Sequence, residues 1–197
     1  MQTAELGHFA VIIDGTKYNL KATLRNMANL ADSRRLVRYF DMLHNPKLPV
    51  NVLLDVSREV ILACSDSPQI EKHLIKCRRM KPHITKDSFS INDQINVAAG
   101  LMRHGIAGVN RPDNGLKSGG GDVSEFNAYE MVAAAKNHFG MSLSEAWDIT
   151  MSEFAYHIAS HFPTKQTKGE VPSMDDHKLA MQMLREKAER EKQARAE

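Results

Sequence analysis

The stretch from Val50 to Cys64, "VNVLLDVSREVILAC", is apolar around most of its circumference when wound at helical spacing. A helix of that kind has no face suited to water, so other elements must surround it, and it becomes the centre about which the chain packs. "NPKLP" separates it from what precedes. "SDSP" stops it, with Pro68 placed for the first turn of a following helix, "PQIEKHLIKCRR".

Most of the elements available to wrap this centre are also helical. From Thr23 onward, Leu24, Met27, Ala28 and Ala31 keep a 3.6-residue spacing. Ser33 can cap "RRLVRYFDML", which would bury Leu36, Val37, Phe40 and Leu43. Residues 80–90, "MKPHITKDSFS", read as a loop, with Ser90 capping "INDQINVAAGLMRH". Ser124 and Glu125 open "EFNAYEMVAAAKNHFG", and Gly140 suits its C-terminal cap. Ser142 caps a short helix carrying Leu143, Ala146 and Trp147. Thr150 with Glu153 has the spacing of a capping box for a second one carrying Phe154, Ile158 and Phe162.

One clear β signal stands near the start. Ala10–Ile13 and Thr16–Leu20 flank Asp14-Gly15, the dipeptide that supplies two positive-φ residues to a tight hairpin. A lone hairpin is marginal in water, so it should pack on the helices or pair with another edge.

Residues 105–123, "GIAGVNRPDNGLKSGGGDV", hold more than half of the chain's eleven glycines and read as a mobile loop. A plain linker is the simpler account, and a loop that orders on a partner is the alternative. "GLKSGGG" lacks the Gly-Lys-Ser/Thr ending of a phosphate-binding loop. "PTKQTKGEVP" is a polar hinge, after which Ser173 and Asp176 can box the start of a charged helix. The expected architecture is therefore mainly α: a compact helical domain over residues 1–163 with an N-terminal β-hairpin, a hinge at 164–172, and a separate charged C-terminal helix at 173–197.

A formal net charge of +2 gives no global field toward nucleic acid or an anionic membrane. Apolar runs fall well short of the ~20 residues needed to span a bilayer. "MQTAELGHFAVIIDGTKYNL" lacks the basic-then-apolar order of a signal peptide, and two cysteines, Cys64 and Cys77, do not make a disulfide framework, so a reducing cytosol is expected.

The chemical candidates are thin. Glu153, His157 and His161 share a helical stripe, but at ~1.5 Å rise per residue the outer two lie about 12 Å apart, too far for one tetrahedral ion. His157 and His161 make at most a half-site. Cys77 follows His73 by one helical turn without an orienting third group. Asp122, Glu125, Asp148 and Glu153 stand near helix starts, where they offset the dipole. Basic stretches, Lys76–His83 with Lys86 and Arg34, Arg35 and Arg38, have no interleaved aromatics. No catalytic residue, metal site or cofactor is expected, and this pattern does not point to nucleic acid as a partner.

"LMRHGIAG" (Leu101–Gly108) and "EFNAYEMVAAAKNHFGMSLSEAWDITMSEFAYHIASHFP" (Glu125–Pro163) resemble an uncharacterised bacteriophage family encoded among tail genes. The phrase "GMSLSEAWDITMSEF" in particular is similar to the tail assembly chaperones of long-tailed phages, and the hairpin followed by "LKATLRNMANL" fits the same opening. The resemblance implies a non-enzymatic helper in the host cytoplasm that binds the tape-measure protein and tail-tube subunits during tail morphogenesis. Self-association is compatible with such a role, and no membrane is involved. A structural component of the virion and a small DNA-binding or regulatory phage protein are the alternatives. Met141, Trp147, Met151 and Phe154 are the candidate partner or core contacts.

Overall fold

The computed structural model describes residues 2–78, 81–85, 87–108 and 125–161, and in it the chain is mainly helical with a small antiparallel sheet at the N-terminal end. The central helix (α3) spans Val50–Cys64, the bounds expected from its all-round apolarity. Leu53, Leu54, Val56, Val60, Ile61 and Cys64 are buried along it. No side chain caps its start at Pro49, so packing holds it. Around it lie Leu24–Leu30 (α1), Ser33–Leu43 (α2) and Ile91–Met102 (α4).

A single buried amide fixes how α4 lies on α3. The Gln94 Nε2 donates to Ser57 Oγ at 3.0 Å and to the Leu54 carbonyl at 3.3 Å, while its Oε1 accepts the Ile75 N–H at 2.7 Å. A fully buried amide without partners would be strongly unfavourable. Satisfied on both ends, it fixes the register between the two helices and the backbone at Ile75.

The sheet contains the expected hairpin and one strand more. His8–Ile13 (β2) pairs with Thr16–Lys21 (β3) through the Asp14-Gly15 turn, both of whose residues have positive φ, 48° and 72°. Gln2–Glu5 (β1) adds to the other side of β2 through Leu6-Gly7, again with φ positive at both, 48° and 94°. β2 is therefore central and has no open edge. Phe9, Val11, Tyr18 and Leu20 face the helices and are buried. "QTAE" has no apolar alternation, and only its pairing makes it a strand.

Three boundaries differ from the sequence reading, the first for a local reason and the other two for non-local ones. α2 is capped by Asp32, whose carboxylate accepts the Arg35 N–H at 2.9 Å, with Ser33 as its first residue; Tyr39 is buried on its inner face, and Val37 and Phe40 are half-buried. "PQIEKHLIKCRR" is not one helix. It forms a 3-10 turn over Pro68–His73 and then runs extended into Lys76–Arg78 (β4), which pairs with Lys81–His83 (β5) inside the stretch read as a loop. His73 is buried with Nδ1 donating to the Asp87 carbonyl at 2.6 Å and Nε2 accepting from the Tyr18 hydroxyl at 3.1 Å. Together with Gln94 on Ile75, that draws the backbone out of the helix. The last helix before Gly140, Ala128–Phe139 (α5), starts at an Asn127 cap rather than at Ser124–Glu125, because Phe126 is buried and its N–H reaches the Ser33 carbonyl at 3.4 Å.

Ser90 caps α4 as expected, and α4 runs on into a π-helical turn, Arg103–Ala107. The remainder of the glycine-rich stretch, the hinge at 164–172 and the C-terminal helix at 173–197 lie outside the described residues. Among the described residues no helix is long and apolar enough to cross a membrane.

Gly7 and Gly15 differ in a way that stability measurements can read. A Cβ on Gly7 would stand 2.9 Å from His104 Cβ and from Thr150 Cγ2, whereas one on Gly15 would meet nothing within 4 Å. Gly15→Ala should cost only the left-handed backbone, about 1 kcal/mol. Gly7→Ala adds overpacking and should cost about 3 kcal/mol or more. Denaturant unfolding of the two variants checks the difference; equal losses would mean that the turn is not packed against the helices.

Candidate functional site

The segment that follows α5 is built from caps. Gly140, with φ 67°, ends α5 in the left-handed conformation. Two residues later Ser142 Oγ accepts the Glu145 N–H at 3.3 Å, and the Glu145 carboxylate accepts the Ser142 N–H at 2.9 Å. These bonds hold the Glu145 carboxyl below the usual range. They start Leu143–Asp148 (α6). The box repeats at Thr150, whose Oγ1 accepts the Glu153 N–H at 3.1 Å while its own N–H reaches the Glu153 carboxylate at 2.7 Å, and Met151–His161 (α7) follows. Between the helices Ile149 is extended, and its carbonyl accepts the Leu24 N–H at 2.8 Å.

The start of α7 is also tied to the sheet and to the π-helical turn. The Thr150 hydroxyl donates to the Leu6 carbonyl. His8 Nε2 meets Glu153 Oε1 at 3.0 Å, and His104 Nδ1 meets the buried Ser152 hydroxyl at 2.8 Å. Burial, and secondarily the neighbouring Arg103, pushes the His104 pKa below its ordinary value.

On this rigid frame the aromatic side chains divide into two sets. Phe154 and Met151 are buried and serve the core, and Phe139 packs edge-on to Phe154 with ring centroids 5.7 Å apart. Met141 and Trp147 are half-buried against that core. Trp147 meets Tyr129 edge-on, centroids 5.0 Å apart and rings at 89°. Tyr129 is 69% exposed, and Leu143, one helical turn before Trp147 on the same side of α6, is 58% exposed. Of the four contacts expected from sequence, only Trp147 and Met141 therefore reach the surface. Tyr129 and Leu143 complete the exposed apolar face and were missed. The signal for Tyr129 was periodicity: Ala128, Val132 and Ala135 are the buried positions of α5, which turns Tyr129 outward.

The other chemical candidates are held in structural roles. Glu153 is shared between its cap and His8, and His157 and His161 pack on Phe139 at 5.5 and 4.9 Å. Among the described residues no group of three or more His, Cys, Asp or Glu is placed to hold a metal. Cys77 lies on β4, off any helix shared with His73, and burial with Asp55 nearby pushes its thiol up; burial alone takes Cys64 to about 12. Both shifts run against a thiolate nucleophile. Glu125 pairs with Arg34 at 2.7 Å, Asp148 with Arg25 at 2.9 Å, and Arg35 reaches Tyr39 at 2.8 Å.

Residues 51–190 match the model of a family described as "Family of unknown function (DUF6246)", and the chain belongs to that family. No curated protein and no solved structure matches it.

The His104 contact sets a pH dependence. The ordinary value is 6.5 and the folded value lies below it, so as pH falls through 6.5 the unfolded chain takes up a proton before the folded one does. Stability is whole above that point and is lost on acidification until the folded value is passed. The groups beside His104 are Arg103, the Ser152 hydroxyl and the Phe9 ring. Thermal unfolding between about pH 7.5 and pH 5 should show a steeper loss for the wild type than for His104→Gln. Parallel curves would mean that His104 titrates freely.

Proposed function

We propose that this chain is a non-enzymatic assembly chaperone of the phage-tail kind. In this reading it holds apolar helical segments of a tape-measure protein, and tail-tube subunits, on the face formed by Tyr129, Leu143 and Trp147. The observation that carries the reading is that face: a tyrosine on α5 and a leucine on α6, largely open to water beside the only tryptophan, with α6 held between two capping boxes. Aromatic side chains on a rigid support lose little conformational freedom on binding and dominate interface energies. The resemblance of "GMSLSEAWDITMSEF" to tail assembly chaperones supports the same assignment, since the phrase covers α6, the joint and the first turn of α7.

The physical scale fits a transient helper. Covering apolar surface yields roughly 25 cal/mol per Å², so three side chains give a weak single contact. A long client with many such segments gains by multivalency without any one contact being tight. Assembly of this kind takes place in the host cytoplasm.

Co-expression with the tape-measure protein encoded in the same genome, followed by co-purification at low and high salt, tests the reading. The complex should survive both conditions, because apolar burial is little screened. Trp147→Ala should weaken retention about tenfold or more. Leu143→Ser, at an exposed position that leaves the fold undisturbed, should weaken it less but measurably. Failure to co-purify, with the protein found instead in finished particles, would replace the chaperone with a structural tail component.

A further inference from the structure

We propose that a cleft at the base of the β4–β5 hairpin is an anion site that takes a phosphoryl group. The cleft, about 200 Å³, is lined by Glu71, Lys72, Leu74, Lys76, His83, Thr85 and Ser88. Its floor is the buried Leu74, so a ligand resting there is shielded from water on one side. Lys72 and His83 are exposed at its walls.

The single carboxylate in the lining does not oppose an anion. Glu71 accepts from Arg58 at 2.7 Å and from Lys76 at 3.0 Å. Two cations on one carboxylate leave a net positive charge before Lys72 and His83 are counted. The stretch from Glu71 to Lys86 contains six lysines and arginines and one acid, in a chain whose formal net charge is only +2. The sequence that builds the cleft is thus strongly basic, and of its cations Lys72 and Lys76 line the cleft itself.

The hydroxyl geometry adds a donor. Thr85 Oγ1 and Ser88 Oγ lie 2.6 Å apart, and Ser88 Oγ also accepts the Thr85 N–H at 3.0 Å. Two hydroxyls share one bond, so one O–H remains to donate outward. A phosphoryl group has three strong acceptor oxygens, which match a lysine ammonium, a hydroxyl and an imidazole N–H. Non-local contacts hold the site: the Phe89 N–H binds the His73 carbonyl at 2.9 Å, just past the Thr85–Ser88 turn. The inference does not depend on the client face.

The phosphoryl group can belong to a free phosphate or to a nucleic-acid backbone, and titration of the intact chain separates the two. The probes are inorganic phosphate and a twelve-nucleotide oligothymidylate, followed by calorimetry and by the ring resonances of His83. Saturable binding of phosphate that shifts His83, weakened about tenfold in the double variant Lys72→Gln/His83→Gln and unchanged in Lys17→Gln, establishes the site for a free phosphate. Much tighter binding of the oligonucleotide, falling steeply with salt but sensitive to the same double variant, assigns it to a backbone phosphate. Binding of neither probe overturns the proposal. Loss as large in Lys81→Gln as in Lys72→Gln overturns it too, since the charge would then act diffusely along the hairpin.

Discussion

One threonine hydroxyl ties together segments from both ends of the described chain. Thr150 is fully buried, and its Oγ1 accepts the Glu153 N–H while its proton goes to the Leu6 carbonyl, 144 residues away in sequence. Its backbone bridges to Thr23, and its neighbour Ile149 accepts the Leu24 N–H. The β1–β2 turn, the start of α1, the end of α6 and the start of α7 thus meet at one residue. A buried hydroxyl must be satisfied in both directions to avoid a large desolvation cost, and here it is. The close approach it requires explains why position 7 is glycine, and the bond to its carbonyl helps hold Leu6 at a positive φ of 48°.

The exposed aromatic face follows from that joint. α6 has six residues, far too few to be helical on its own. It persists because a capping box starts it, buried Ala146 anchors it, and the Thr150 box begins the next helix directly after it. Trp147 is held at the surface by these local devices. Its side chain leans on the core and on Tyr129.

What was legible in the sequence was what local chemistry determines. The Asp14-Gly15 turn, the Ser142 and Thr150 caps, the glycine after α5 and the apolar girth of Val50–Cys64 act within a few residues, and each reads directly. Contacts between distant segments did not read. The bonds of His73 to Tyr18 and Asp87 convert an expected helix into a 3-10 turn and a strand. Phe126 delays α5 by reaching Ser33. For the aromatic face, Trp147 and Phe154 were equally suited by residue type to core or interface. In the fold Phe154 is buried edge-on to Phe139, while Trp147 stays half open beside Tyr129.

The same packing bears on how a client would be held. Several groups whose proton affinity departs from normal are occupied in structural contacts: His104 on Ser152, Glu71 between Arg58 and Lys76, Glu145 in its cap, and Cys64 in the core. A surface with little polar commitment of its own, set on a frame held by capping bonds, contributes burial and little else. Contact of that kind is weak per site and indifferent to the detailed sequence of the segment it covers. Along a repetitive apolar rod, many copies would bind with useful avidity. On the proposed reading each copy would still leave quickly once a competitor covers the same stripe, because affinity at one face resides mainly in its dissociation rate. Weakness at the single face is therefore what allows an assembly factor to be displaced.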